Sequence, residues 1–183
     1  MQADLHERIS RAVEQGVAAR SAFYASIDLP DEQHLGAPAT EAQIAQFEQR
    51  IKLRLPPSYR SFLSQFNGWR MVDGVTDLLS LEEMMGGPRA DAIRKWQEAA
   101  AKWDDETGAN GLIIGFSDVS QSRIILDPFD VQTDGEWALI ENYKDEDQRY
   151  ASFIEWLEHS VSDYRAIAAD PDGAVDPDGN ANE

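Results

Sequence analysis

The 183-residue chain carries 34 Asp and Glu against 16 Lys and Arg, a formal net charge of −18, with 42% hydrophobic residues and no cysteine. That length and apolar content suffice for one domain with its own core. A field of this sign repels nucleic acid and anionic membrane surfaces and attracts basic partners, though acidity also simply keeps a protein soluble. The lack of cysteine excludes disulfides, thiolate catalysis and thiolate metal sites.

Residues 4–27 read as an amphipathic helix. Leu5, Ile9, Val13, Val17, Phe23 and Ile27 recur at roughly three-to-four spacing, with Asp4 as the expected N-cap. The Pro-, Gly- and Asp-containing stretch 29–39 breaks this pattern and connects it to the body of the domain. A second helix starts at Thr40, where Thr40 and Gln43 fit a capping box, and carries the stripe Ile44, Phe47 and Ile51. Pro56-Pro57 ends it and opens a third helix with Tyr59, Phe62, Leu63 and Phe66 on one face and Asn67-Gly68 as its stop. Short runs then follow as expected strands: Val75–Leu79, Leu112–Phe116, Arg123–Leu126 and Trp137–Ile140. Between them, Ser80 and Glu83 cap a short helix, Gly86-Gly87-Pro88 interrupts it, and residues 89–104 resume as a helix with Ile93, Trp96, Ala100 and Trp103 on one side. The last helix spans 150–168, with Phe153, Trp156, Leu157, Val161 and Tyr164 at helical spacing. From Asp170 onward the chain holds five acids and no base, which reads as a solvated tail. Helices, then strands, then a helix make an α+β fold with a small antiparallel or mixed sheet flanked by helices and an extra N-terminal helix. The divisions are residues 1–35 for the N-terminal helix and connector, 36–168 for the α+β domain and 169–183 for the acidic tail.

Catalytic and cofactor chemistry find no support in these residues. His6, His34 and His159 are far apart and lack zinc-ligand spacing, and no nucleotide-binding glycine loop or nucleophile elbow occurs. The DPDG units at 170–173 and 176–179 lack the distal bidentate Glu of a calcium loop. No catalytic, metal or cofactor residue is therefore assigned. The charged, mixed N-terminus reads as no secretory signal and no apolar run reaches the length of a membrane span, so the expected location is the cytoplasm.

The segment Pro38–Gly68, PATEAQIAQFEQRIKLRLPPSYRSFLSQFNG, resembles the signature of the SUKH superfamily, in its cell-wall-assembly-regulator-like (SMI/KNR-type) branch. Its marks are a helix closed by L-P-x-x-Y and a second helix ending in N-G. Later blocks are similar in order: Leu79–Glu83, Leu112–Phe116, Ile125–Pro128 and Ser152–Leu157. The turn at Ser117–Ser122 departs from the glycine-rich turn usual there. The resemblance implies a non-catalytic protein-binding module. One role it implies is a bacterial immunity protein that binds and neutralises a cognate toxin, a nuclease among the options; the alternative is an intracellular regulator or scaffold with a non-toxin partner. The expected partner is a basic protein such as a cognate toxin domain, with no direct nucleic-acid or membrane contact. Candidate partner-binding residues are the acidic runs Asp104, Asp105 and Glu106 and Asp145, Glu146 and Asp147, both expected in loops. Trp69 and Arg70, residue types that dominate binding hot spots, complete the set. Solvated faces for the acids and core packing for Trp69 are the competing readings. Trp96, Trp103, Trp137 and Trp156 lie on apolar faces and are assigned to the core.

Overall fold

Local signals set most helix starts in the computed structural model, which describes residues 2–143 and 146–169. Helix α1 runs Gln2–Ser26, so Asp4 sits in its first turn, where its charge meets the positive helix end, and does not cap it. A two-residue strand β1 (His34–Leu35) follows. Helix α2 (Glu41–Ile51) begins at the expected Thr40–Gln43 capping box and ends with Lys52 in the left-handed conformation at φ 60°.

Helix α3 (Pro57–Leu63) opens on proline. It closes at Ser64, short of the expected Asn67-Gly68 stop. Asn67 is instead recruited to another helix: its side-chain oxygen accepts the backbone N–H of Leu81 at 2.9 Å. Strands β2 (Trp69–Arg70) and β3 (Asp77–Leu78) precede helix α4 (Leu81–Met85), which starts at the Ser80–Glu83 capping box. Helices α5 (Gly87–Lys102) and α6 (Glu106–Asn110) follow, then strands β4 (Leu112–Phe116), β5 (Arg123–Val131), β6 (Trp137–Tyr143) and β7 (Glu146–Tyr150). Helix α7 (Phe153–Ala169) completes the described chain.

The strands form one antiparallel sheet in the order β1 to β7, each paired with its sequence neighbour. The architecture is thus α+β, an antiparallel sheet with flanking helices and an extra N-terminal helix. Alternation divides the two sheet faces. Ile114, Ile124, Leu126 and Leu139 join the main core with Tyr59, Phe62, Phe153 and Trp156 from α3 and α7. Ile9, Ala12 and Val13 bring α1 into that same core. The opposite face presents Ile113, Ile125 and Ile140 to Ile93 and Trp96 of α5.

Two tertiary contacts tie the layers together. Glu136, in the turn before β6, accepts the backbone N–H of Ser58 at 2.8 Å and its hydroxyl at 2.6 Å. It thereby satisfies an orphan donor at the start of α3. Gly16 lies where α1 crosses the core: a Cβ there would stand 2.7 Å from the Trp69 ring and 2.9 Å from Val161.

Several expectations give way. Trp103 is 85% exposed although it continues the α5 stripe, because the helix stops one residue earlier. Glu146 and Asp147 lie on strand β7 and not in a loop: β6 supplies a pairing edge that no local signal announces. Tyr150 ends that strand and does not begin α7. The acidic tail beyond residue 169, with its two DPDG units, falls outside the described residues.

Candidate functional site

The sheet edge at β6 and β7, helix α7 and the β2–β3 turn enclose a groove of about 430 Å³. Asp73, Glu141, Glu146, Asp147 and Asp163 line it, together with His159 and three tyrosines, and among the described residues no Lys or Arg shares the lining. Strand parity explains the central acid. Leu139 is fully buried on the core-facing side of β6, and Glu141 two residues on points the same way. Its Oε2 accepts the indole N–H of Trp156 at 3.1 Å.

Burial pushes the Glu141 carboxyl above the ordinary glutamate range. The Trp156 hydrogen bond opposes this, the charge of Asp73 adds to it, His159 pulls it back and Asp163 raises it again. His159 Nδ1 stands 3.0 Å from Asp163 Oδ2, and the His159 ring meets Tyr150 edge-on at 5.4 Å. Burial, with the nearby charges of Glu141 and Asp163, pushes the Tyr150 hydroxyl up to about 12. Burial also carries Tyr164 to about 12, with Arg20 opposing. Both phenols therefore stay protonated near neutral pH, and Tyr150 donates its hydroxyl proton to Gln148 Oε1 at 3.0 Å. Behind Tyr164 lies Arg20, fully buried, its guanidinium carbon 4.9 Å from the Tyr24 ring centroid and 5.6 Å from that of Tyr164.

Such a groove suits a cationic side chain. Its carboxylates attract the charge, the partly desolvated Glu141 gains a counter-ion, and the tyrosine faces accept the aliphatic stem and the cation itself. Among the described residues, no group of three or more His, Cys, Asp or Glu side chains has the geometry to hold a metal ion. No described helix is long and apolar enough to cross a membrane.

The structure brings only part of the sequence-derived set to this groove. Glu146 and Asp147 are on its rim, and Asp147 also accepts the Asn142 side-chain N–H at 2.7 Å. Asp145 lies outside the described residues. Trp69 is 1% exposed and donates its indole N–H to Gln33 at 3.3 Å, so it takes the core-packing option and offers no surface anchor. Arg70 is exposed on β2, opposite His34 of β1. Asp104, Asp105 and Glu106 lie at the α5–α6 corner, on the other side of the sheet. Within that run Asp105 caps α6, its Oδ1 accepting the Gly108 N–H at 2.8 Å.

Sequence reasoning missed Asp73, Glu141, Asp163 and the tyrosines. One signal was present: Glu141 places a carboxylate on the inward parity of β6, directly after the apolar run Trp137–Ile140, a local conflict that marks functional sites.

A model of the SMI1/KNR4 family (SUKH-1) matches residues 38–159, about two thirds of the sequence. The chain belongs to the SMI1/KNR4 (SUKH-1) family. Its matched region runs from the approach to α2 into α7, and so includes Asp73, Glu141 and His159, while Asp163 and α1 lie beyond it. The chain is also similar to the uncharacterized protein YnaB of Bacillus subtilis (strain 168), 41% identical over 49 residues. That match covers 27% of this chain, and the chain spans about a third of that relative's length. Membership of the SMI1/KNR4 family suggests a protein-binding or regulatory role.

Proposed function

We propose that the chain is a non-catalytic binding protein that seats a basic protein in the acidic groove and, as an immunity protein in the cytoplasm, neutralises a cognate toxin. The observation that carries this reading is the groove itself: five carboxylates and three tyrosines around about 430 Å³, with no lining Lys or Arg among the described residues. An enzyme that grips phosphate needs a basic surface, and an acidic protein competes for that surface. Charge also governs the encounter. Complementary fields accelerate association, and salt slows it more than it changes dissociation.

Co-expression with the toxin encoded beside its gene tests the reading. The wild-type chain protects growth, and Glu141→Gln combined with Asp163→Asn loses that protection while the variant remains folded. Surface plasmon resonance with the same toxin shows an on-rate that falls steeply with salt. Failure to protect against every neighbouring toxin overturns the immunity role. Undiminished protection by the double variant overturns the groove as its site.

A further inference from the structure

Trp103 is the most exposed of the large hydrophobic side chains on the described surface, at 85%. The other four tryptophans are accounted for by packing. Trp69, Trp137 and Trp156 are buried, and Trp96 packs against the cluster of Ile113, Ile125 and Ile140. Spacing alone continues the α5 stripe from Ile93 and Trp96 to Trp103, yet α5 ends at Lys102. Trp103 leaves the helical conformation at φ −105° and ψ 13°, and Asp104 turns into the left-handed region at φ 56°. For a residue other than glycine that conformation is uncommon and unfavourable, and the turn carries the indole off the packed face.

The corner is braced in spite of this. The N–H groups of Trp103 and Asp105 both donate to the Ala100 carbonyl, at 2.9 and 3.2 Å. Asp105 is fixed as the cap of α6. The exposed indole is therefore presented from a hydrogen-bonded turn between two helices, with the exposed carboxylates of Asp104 and Glu106 beside it in sequence. Pre-organisation of this kind lowers the ordering cost of binding.

We infer that the Trp103 corner is a second docking surface, separate from the groove, whose occupant is a basic protein segment that stacks an Arg or Lys on the indole and pairs with Asp104 and Glu106. Charge decides the occupant. A second copy would bring another chain of net charge −18 against these acids, and nucleic acid and anionic lipid are repelled in the same way. A guanidinium or ammonium gains both the ring face and the flanking carboxylates. Its placement makes the chain two-sided. Helix α5 covers the face bearing Ile113, Ile125 and Ile140, whereas Glu141 opens from the opposite face beneath α7. Two basic segments can then be held at once.

The test uses the full chain, nona-arginine peptide as probe, and NMR at low salt of the tryptophan indole N–H signals and of the Gly108 backbone N–H, which still reports the corner when Trp103 is replaced. Loss of one signal in Trp103→Phe assigns Trp103. The Trp103 signal moves on titration, and Trp103→Ala weakens peptide binding at this surface about fivefold, the scale of one partly desolvated cation–π contact. Asp104→Asn combined with Glu106→Asn weakens it as well. In both variants the Trp156 signal, which reports the groove through Glu141, keeps its response. Glu141→Gln with Asp163→Asn has the reverse effect, so failure of the groove and failure of the corner are told apart. A Trp103 signal that stays still at saturating peptide overturns the inference. So does weakening by the Asp104/Glu106 variant without any by Trp103→Ala, which would reveal only the general field. Concentration-dependent dimerisation abolished by Trp103→Ala in sedimentation would assign the corner to a second copy and overturn it too.

Discussion

Removing Asp31 tests how the structure tolerates its most buried charge. Arg20 is fully buried, and its Nε and Nη1 have no hydrogen-bond partner among the described residues. Its Nη2 donates to Asp31 Oδ1 at 3.2 Å, while the Asp31 side chain keeps 15% of its exposure. At an effective dielectric of about 20, Coulomb's law gives a gross attraction of about 5 kcal/mol at this separation, before desolvation of the guanidinium is subtracted. Asp31→Ala strands a buried cation, with only the Tyr24 and Tyr164 rings against it, so the expected loss is about 3–5 kcal/mol. Arg20→Met leaves Asp31 with hydrogen bonds from Ser21 and Gln33 and with access to water, so its cost is expected at about 1–3 kcal/mol. The double variant recovers part of the Asp31→Ala loss, because an apolar side chain in that site needs no counter-ion. Urea melts of the four proteins measure this directly. The reasoning fails if Asp31→Ala costs less than Arg20→Met. The same site has a defined pH response. Burial pushes the Asp31 carboxyl up, but hydrogen bonds from Ser21 and Gln33, helped by the Arg20 charge, outweigh it and hold the group below the ordinary aspartate value. Its stabilisation is present above the unfolded-state value and is lost as pH falls through the lowered folded-state value.

Glu141→Gln keeps an oxygen to accept the Trp156 N–H while removing a desolvated charge, so it should raise stability at neutral pH by about 0.5–2 kcal/mol as binding of the basic partner falls. Because its folded-state value is raised, wild-type stability declines as pH rises from the unfolded-state value through the folded one; the Gln variant should lack that slope in melts across this window. Gly16→Ala forces a methyl group to 2.7 Å from the buried Trp69 ring and should cost about 1–3 kcal/mol in a thermal or urea melt, despite alanine's better helix propensity. Phe62→Ala empties a fully buried site against Tyr59 and Phe153 and should cost about 3–5 kcal/mol by the same measurement; a loss well below 1 kcal/mol would put the α3 stripe out of phase.

Sequence alone determined the features that depend on neighbours a few residues apart. The capping boxes at Thr40 and Ser80, the proline start of α3 and the buried stripes of α2, α3 and α7 are all interactions within one or two helical turns, so local residue order suffices to specify them. The long strands β4, β5 and β6 were legible in part, because apolar β-branched runs bounded by turn residues carry their own signal. The two-residue strands β1 and β2 and the polar edge strand β7 were not legible: their hydrogen bonds go to distant or facing segments, and pairing can override weak local preference. The same distinction separates the two candidate surfaces. Acidic runs at 104–106 and 145–147 can be read from composition, but the groove exists only because α7 returns across the sheet to bring Asp163 and Tyr164 beside Glu141 and Asp73. Trp69 and Trp103 make the point with one residue type. Folding buried the first beneath α1 and exposed the second at a helix end, because burial is decided by which elements pack together and not by the tryptophan itself.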